Sequence, residues 1–302
     1  MKNKDINLDK CNSLLYGNGF AFDVYLPALI KLGIKKILID KNQFLHKDKT
    51  NILNKYNEYI IYYKDESYKK PIIDYTILAV PPSNQYKLLL DNNFFENTKT
   101  LILEKPLALS PVKALDIMQK LEKISRKYII NYSFRYTLWY RNISAKIKNL
   151  PNNVELIFIW KFMARHFMHE RKTWKRLHSE GGGAIRFYGI HLLAILSDIG
   201  YLKVGKVNNL SEQSSCLSSF SCSFESTQNL PKCNILIDSE SLANEFSCYY
   251  IKDNKKISLL NLEKPFPKES GALSEDPRIE ITKRLINEKK FNYCNFNVIK
   301  LW

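Results

Sequence analysis

Apolar and polar positions alternate in two different ways along this chain, and the change falls between residues 130 and 150. In the first part, short apolar runs are separated by longer amphipathic stretches, which is typical of buried strands joined by helices. Strands that alternate with helices predict a parallel, doubly wound sheet. The predicted strands are Ser13–Tyr16, Lys36–Asp40, Tyr59–Tyr63, Tyr75–Val80, Thr100–Leu103 and Tyr128–Tyr132, and the predicted helices are Tyr25–Leu32, Asn84–Leu90 and Pro111–Lys127.

After Pro151 the strands follow one another through short turns, which predicts an open, mainly antiparallel sheet. A glycine-rich helix start, Gly181–Gly183, interrupts this part. We therefore expect an α/β chain of two domains, with a parallel sheet in residues 1–133 and an α+β fold in residues 134–302. The strands predicted in the second domain are Val154–Phe162, Ser214–Ser223, Lys232–Ile237, Glu245–Ile251 and Lys256–Leu260.

Length and composition agree with two globular domains, because 302 residues with 45% hydrophobic content can bury a large core. Charge or glycine interrupts every apolar run well before the roughly 20 residues of a membrane span. The first seven residues also lack the apolar core of a signal peptide. We expect a cytoplasmic protein with no membrane partner.

The net charge of +16 suggests an anionic ligand, but lysines are spread over the whole chain rather than clustered. This distribution favours a small anion, such as a nucleotide or a nucleotide-sugar, over a nucleic acid. The six cysteines are scattered, without a Cys-x-x-Cys pair or a histidine at zinc-ligand spacing. We expect reduced, structural thiols and no metal site.

The first predicted strand runs into Gly17-Asn18-Gly19, the start of a nucleotide-binding turn. In such a turn the first glycine permits the bend and the second lets the backbone approach a pyrophosphate. Phe22 occupies the third glycine position, so the helix must stand off or turn that ring away. Asp40 ends the second strand, where it would bind a ribose diol, whereas Lys41 would meet a 2′-phosphate. NAD and NADP both remain open, as does an ordinary turn with no ligand.

A second candidate follows a later strand, where Leu101–Leu103 ends in Glu104-Lys105-Pro106. The carboxyl ends of parallel strands border the crevice in which open α/β sheets bind ligands. Lys105 is therefore the first candidate for chemistry. Partial burial would lower the pKa of its ammonium toward neutrality, so that it can exchange a proton.

Several motifs in residues 12 to 200 resemble the family of glucose-fructose oxidoreductase, inositol dehydrogenase and rhizopine-catabolism proteins. The resemblance is carried by motifs in the same order as in that family. They are Gly17-Asn18-Gly19 with Pro27-Ala28-Leu29, Ala79-Val80-Pro81-Pro82-Ser83-Asn84, Glu104-Lys105-Pro106, Asn131-Tyr132-Ser133-Phe134-Arg135-Tyr136, Trp174-Lys175-Arg176, and Gly181-Gly182-Gly183 followed by Gly189-Ile190-His191.

The resemblance implies a Rossmann domain that binds NAD or NADP, and a second domain that binds a small-molecule substrate and forms a homo-oligomer through its sheet. It implies Lys105 as the catalytic acid and base, assisted by His191. The cofactor-binding residues it implies are Gly17, Gly19, Phe20, Asp40, Lys41, Val80, Pro81, Pro82, Asn84, Glu104 and Lys105, and the substrate-binding residues are Arg135, Trp174 and Tyr188.

Three positions depart from the family pattern. Phe187 replaces a common aspartate four residues before His191, and Ala194 replaces another after it. Gln85 or Tyr86 stands where a histidine is frequent. Two hypotheses follow: an NAD(P)-dependent oxidoreductase acting on a sugar or sugar derivative, with a nucleotide-sugar as one candidate, and a catalytically silent cofactor-binding or scaffolding protein.

Overall fold

The computed structural model of the protein describes residues 13–40, 50–63, 72–213, 216–226, 229–267, 275–288 and 295–302. These residues form two compact units. The first unit contains the described parts of residues 1–107, 117–131 and 274–292, and the second contains those of 108–116, 132–273 and 293–302. A single boundary at residue 133 is therefore incomplete, because a segment near the end of the chain returns to the first unit.

The first unit is built on a six-stranded sheet in which all neighbouring strands are parallel. Its order, β3-β2-β1-β4-β5-β6, is that of doubly wound nucleotide-binding sheets. The predicted parallel sheet is confirmed. The strands are β1 (Ser13–Tyr16), β2 (Ile37–Asp40), β3 (Ile60–Tyr63), β4 (Ile73–Leu78), β5 (Thr98–Leu103) and β6 (Lys127–Ile130).

Helices connect these strands, and the first of them begins with a π-helical turn over Ala21–Tyr25. A helix near the end of the chain, which the hydrophobic pattern did not predict, contacts this connection and buries Ile279, Ile281, Leu285 and Ile286. The helices are α1 (Leu26–Lys31), α2 (Thr50–Lys55), α3 (Pro82–Leu90), α4 (Pro111–Lys123, divided between the units) and, after those of the second unit, α8 (Arg278–Ile286).

The second unit contains a six-stranded sheet of order β12-β11-β7-β10-β9-β8. The pair β7–β10 is parallel and the other four pairs are antiparallel, so the sheet is mainly antiparallel as predicted. One of its two longest strands, β8, was not predicted. The strands are β7 (Glu155–Met163), β8 (Tyr201–Gln213), β9 (Cys216–Ser226), β10 (Lys232–Asp238), β11 (Glu240–Lys252) and β12 (Lys255–Leu262).

The core of the second unit surrounds a helix that is buried at nearly every position and carries Asp198 one residue before its end. The Arg135 guanidinium forms a bidentate ion pair with the Asp198 carboxylate, with two N–O distances of 2.9 Å, and also donates to Asn295 Oδ1 at 3.0 Å. These contacts tie three segments of the second unit together. Its helices are α5 (Leu138–Lys148), α6 (Arg165–Met168), α7 (Ile190–Ile199) and α9 (Asn295–Leu301).

Among the described residues, no helix is long and apolar enough to cross a membrane, and no cluster of His, Cys, Asp and Glu side chains has the composition of a metal site. Cys216, Cys222, Cys233 and Cys248 carry free thiols. Burial raises the pKa of the Cys222 thiol to about 11. Cys11 and Cys294 lie outside the described residues.

Candidate functional site

Gly17 makes the turn between β1 and the first helical segment, and its surroundings admit no other residue. Its φ of +119° is rarely adopted by other residues, and a Cβ atom there would lie 2.1 Å from the carbonyl oxygen of Ala79. Ala79 follows β4 and donates its N–H to the carbonyl oxygen of Tyr16 at 2.8 Å. The ends of β1 and β4 therefore meet where the strand order reverses, the position at which such sheets bind ligands.

Gly19 differs from Gly17, because a Cβ atom built on it meets no atom of the described residues within 4 Å, apart from its neighbours in the chain. The residue is exposed and begins the helical segment. Open space beside a backbone at a helix start suits the close approach of an anionic group. The turn therefore has both properties expected of its two glycines, a tight bend at the first and free access at the second.

Phe22, at the usual third glycine position, is fully buried within the π-helical turn. Its ring therefore points into the core and leaves the turn clear. Phe20 is half-buried; its ring packs edge-on against Tyr25 at 5.4 Å and lies 5.0 Å from the Arg278 guanidinium.

Asp40 is the last residue of β2, one strand from the glycine turn, and only its backbone is described. Lys41 lies outside the described residues. Val80 and Pro81 are half-buried in the turn that follows β4, Pro82 is the first residue of α3, and Asn84 is exposed on that helix.

Gln85 fixes the segment that contains Lys105. Its Nε2 donates to the carbonyl oxygens of Glu104 (2.8 Å) and Leu107 (3.0 Å), and its Oε1 accepts from the N–H of Glu104 (2.8 Å). The amide is fully buried. Lys105, which is half-buried and precedes a cis bond to Pro106, is thus held on both sides by one side chain.

The Glu104 carboxylate forms a second set of contacts at the same place. Its Oε1 accepts from the Tyr25 hydroxyl and from Asn131 Nδ2, both at 2.8 Å, and Asn131 also donates to the Tyr25 oxygen. Burial raises the pKa of Glu104, whereas the charge of Lys105 and the hydrogen bonds from Tyr25 and Asn131 oppose that rise. The carboxylate therefore has an anchoring role within the first unit.

His191 belongs to the second unit and lies near the start of α7, where it is 4% exposed. Its ring stacks on Phe134, with 4.8 Å between centroids, and meets Phe266 edge-on. This packing fixes the imidazole in an aromatic surrounding. Lys105, in the segment after β5, belongs to the first unit, and His191, on α7, belongs to the second.

The triple glycine before α7 is explained by backbone geometry. Gly181 and Gly183 have φ values of +87° and +80°, and a Cβ atom on Gly182 would lie 2.2 Å from the carbonyl oxygen of Trp174. The segment therefore passes directly against the chain at Trp174 and Lys175, which places the predicted substrate residue Trp174 beside the triple glycine and the Phe187 ring.

An aromatic cluster follows the triple glycine. Phe187, which replaces the common aspartate, meets Trp174 and Tyr188 edge-on and lies under the Lys175 ammonium. Tyr188 stacks parallel to the His166 ring, and its hydroxyl is 3.5 Å from His166 Nδ1. Burial, with Lys175 and Arg176 nearby, lowers the pKa of His166 to about 4, and burial raises the pKa of Tyr188.

Arg135 was predicted to contact substrate, but its guanidinium is engaged by Asp198 and Asn295 and lies over the Tyr132 ring. Its side chain is 10% exposed. These contacts give Arg135 a structural role inside the second unit, and a role in substrate binding stays a prediction.

Sequence reasoning missed the supporting residue Tyr25, named Asn131 only as part of a family motif, and noted Gln85 only as a departure from a family pattern. The only signal for Gln85 was its position just after the Pro81-Pro82 turn. Nothing local marks Tyr25, since Glu104 lies 79 positions away in the sequence.

The sequence matches no family model and no curated protein. Solved structures match the fold. GenD2 from gentamicin A biosynthesis, in complex with NAD, gives a TM-score of 0.68 at 11% identity and covers 100% of this chain and 94% of that one. The WlbA dehydrogenase from Bordetella pertussis, in complex with NADH and UDP-GlcNAcA, gives 0.65 at 10% identity and covers 90% and 82%.

A super-repressor mutant of Gal80p from Saccharomyces cerevisiae also matches, with a TM-score of 0.58 at 13% identity over 91% of this chain and 82% of that one. Identities of this size establish the fold and nothing finer. The chain has the fold of NAD-binding dehydrogenases, with a doubly wound parallel sheet in one unit and a mainly antiparallel sheet in the other.

Proposed function

We propose that the protein is an NAD(P)-dependent oxidoreductase that acts on a hydroxyl or carbonyl group of a sugar or sugar derivative. The observation that carries the proposal is the carboxyl edge of the first sheet. The glycine turn and Lys105 follow β1 and β5, the two strands that flank β4, and, apart from its neighbours in the chain, no described residue lies within 4 Å of the position of a Cβ atom on Gly19. This edge fits a dinucleotide, since the backbone near Gly19 is accessible to a pyrophosphate.

The cofactor contacts proposed are the backbone of Gly17, Gly19 and Phe20, the Asp40 carboxylate or Lys41 at the adenosine ribose, and the segment from Val80 to Asn84 near the nicotinamide ribose. A bound dinucleotide would accept or supply the hydride. The contact of Lys105 with the nicotinamide ribose is part of the same proposal.

Lys105 is proposed to move the proton. Its Nζ takes a proton from a substrate hydroxyl or gives one to a substrate carbonyl oxygen, a role that typically contributes about 10²- to 10⁴-fold to rate. His191 assists this transfer, and Trp174 and Tyr188 border the substrate. The crystallised complex of B. pertussis WlbA with UDP-GlcNAcA supports a nucleotide-sugar as the first substrate class to assay.

A second function is favoured by the residues that replace acids beside His191. Phe187 packs in an aromatic cluster and Ala194 is fully buried, so neither position offers a proton acceptor. One structure of similar fold is that of a super-repressor mutant of Gal80p. A catalytically silent, cofactor-binding protein is therefore the alternative.

Titration with NADH and NADPH, followed by nicotinamide fluorescence and by thermal unfolding, separates these functions. A ligand that binds only the folded state raises stability by about 2.7 kcal/mol at one hundred times its Kd. We expect saturable binding and, with a sugar substrate, a turnover that Lys105→Met lowers about 10²-fold or more while Lys99→Met leaves it unchanged. Binding without turnover would support the silent protein, and no binding at millimolar concentration would contradict both.

A further inference from the structure

We propose that Arg278, the first residue of α8, binds the pyrophosphate of the dinucleotide at the glycine turn after β1. The inference rests on the dinucleotide binding proposed above and adds a binding residue from the far end of the chain. Residue 278 belongs to the segment that returns to the first unit, so both partners of the contact lie in that unit.

An aromatic contact places the Arg278 guanidinium at the glycine turn. The guanidinium lies over the ring of Phe20, 5.0 Å from its centroid, which is within the range of a cation–π interaction. Phe20 directly follows Gly19, and its ring is supported edge-on by the buried Tyr25 at 5.4 Å. A positive charge is therefore held beside the backbone that a pyrophosphate approaches in such turns.

The packing of α8 keeps Arg278 at this place. Ile279, the next residue, is buried, and the helix contacts both α1 and the π-helical turn that precedes it. On the outer side, Lys31 of α1 forms an ion pair with Glu275 and lies 4.0 Å from Glu280. Apolar and ionic contacts thus attach the start of α8 to the helical segment that begins at the glycine turn.

Asp276 orients the guanidinium and leaves part of it available. Its carboxylate accepts from Arg278 Nε at 2.9 Å, from Nη2, and from the backbone N–H of Arg278 at 2.9 Å. Arg278 Nη1 forms no hydrogen bond with the described residues, and the side chain is 39% exposed. The planar fork of arginine suits phosphate oxygens, so the donors that Asp276 does not use remain for a phosphate.

The position of Arg278 favours the pyrophosphate over the 2′-phosphate of NADP. In doubly wound sheets the pyrophosphate lies at the turn after the first strand, and the adenosine ribose lies at the end of the second. Arg278 contacts the residue after Gly19, whereas Asp40 ends β2. We therefore expect Arg278 to act on NADH and NADPH alike.

The experiment is titration of an Arg278→Met variant with NADH and with NADPH, followed by nicotinamide fluorescence. Methionine keeps an apolar stem against Phe20 and removes the charge. Both Kd values should rise by about tenfold, the lower end of what a hydrogen bond to a charged group contributes. Salt screens a partly exposed pair of charges, so the Kd of the variant should also rise less with added salt than that of the original protein.

Lys283→Met is the matched control, because Lys283 is a cation of the same helix and pairs with Glu280 at 3.0 Å. It should leave both Kd values unchanged. Thermal unfolding without ligand shows whether either variant loosens α8.

The unaltered protein gives a second measurement, which stands even if Arg278→Met does not fold. Phenylglyoxal modifies accessible arginines, and mass spectrometry reads each site. NADH should slow the modification of Arg278 and leave that of the exposed Arg141 unchanged. Equal rates at Arg278 with and without NADH would overturn the proposal.

Three results of the titration would also overturn it. They are an unchanged Kd for NADH in Arg278→Met, a loss confined to NADPH, and a loss with the original salt dependence, which would mean that Arg278 only holds α8 in place. An original protein that binds neither cofactor would contradict both this site and the proposed function. Binding that depends on Arg278 without turnover of any sugar would disprove the enzyme and leave the Arg278 contact established.

Discussion

Gly17 and Gly33 show how two residues of the same type can carry different constraints. Both have positive φ, +119° and +86°. A Cβ atom on Gly17 would collide with the Ala79 carbonyl, whereas one on Gly33 would lie, apart from its neighbours in the chain, more than 4 Å from every atom in the part of the chain that the structure describes. A side chain at Gly33 would therefore strain only the backbone. A side chain at Gly17 would strain the backbone and would also clash with the end of a neighbouring strand.

Alanine substitution at each glycine should separate the effect of backbone strain from that of the steric clash. We expect Gly33→Ala to lower the free energy of unfolding by about 1–2 kcal/mol, the cost of a left-handed conformation. Gly17→Ala should cost more and also weaken dinucleotide binding, because β1 and β4 must move apart. Urea unfolding and NADH titration measure both effects. Equal stability losses in the two variants would show that the contact with Ala79 relaxes freely.

The glycines of the turn were predictable because each has a local reason that the sequence displays. Gln85 and Tyr25 were not, because their partners lie far along the chain. Gln85 binds carbonyl groups 19 and 22 positions away, and in the sequence it is an ordinary polar residue of a helix. Residues that support a site through such distant contacts leave no periodic or motif signal.

At the scale of elements, the short helix α6 and the π-helical segment Ala184–Gly189 bring His166 and Tyr188 together. His166 is 6% exposed, and its Nε2 has no hydrogen-bond partner among the described residues. The imidazole is therefore neutral in the folded protein, and protonating it in this surrounding is costly.

This burial predicts acid sensitivity of the second unit. The folded-state pKa of His166 is about 4, below the ordinary value of 6.5. The unfolded chain binds a proton first as the pH falls, so the stability from neutral His166 is complete above 6.5 and decreases toward 4. Thermal unfolding at pH 7 and pH 5 should show a smaller loss in His166→Phe than in the original protein. The exposed His169→Phe is the control, and equal losses in all three would contradict the prediction.

Two elements, β8 and α8, were not predicted from the hydrophobic pattern. Strand β8 contains polar and glycine positions without strict alternation, and its pairing with β9 shifts register at four places. Helix α8 is amphipathic and short, and its apolar side is covered by contact with α1 rather than by its neighbours in sequence. Both elements depend on partners, so local periodicity alone did not reveal them.

At the scale of the whole molecule, several apolar residues of the second sheet are exposed. Leu242 on β11 is 92% exposed, Val207 on β8 is 50% exposed and Ile257 on β12 is 38% exposed. These residues lie on strands at and near opposite edges of the sheet, so they are separate exposed positions and not one apolar patch. Pairing of two copies through this sheet therefore stays a prediction from the family resemblance.

Sedimentation velocity tests the pairing. We expect a homo-oligomer, and we expect Leu242→Asp to shift it toward the monomer by placing a charge in an apolar contact. Val112→Asp is the control, since Val112 is 69% exposed on α4 and lies outside the sheet. A monomeric parent protein, or equal effects of the two variants, would exclude pairing through the sheet.

The return of α8 to the first unit has a consequence for synthesis of the protein in the cell. The surface of α1 that α8 covers is made early, but its cover leaves the ribosome only after residues 132–273 have been translated. A nascent chain therefore carries an incomplete first unit through most of its elongation. Such a chain exposes the apolar surface of α1 until the last part of the chain is made, and exposed apolar surface makes an unfinished chain prone to aggregate.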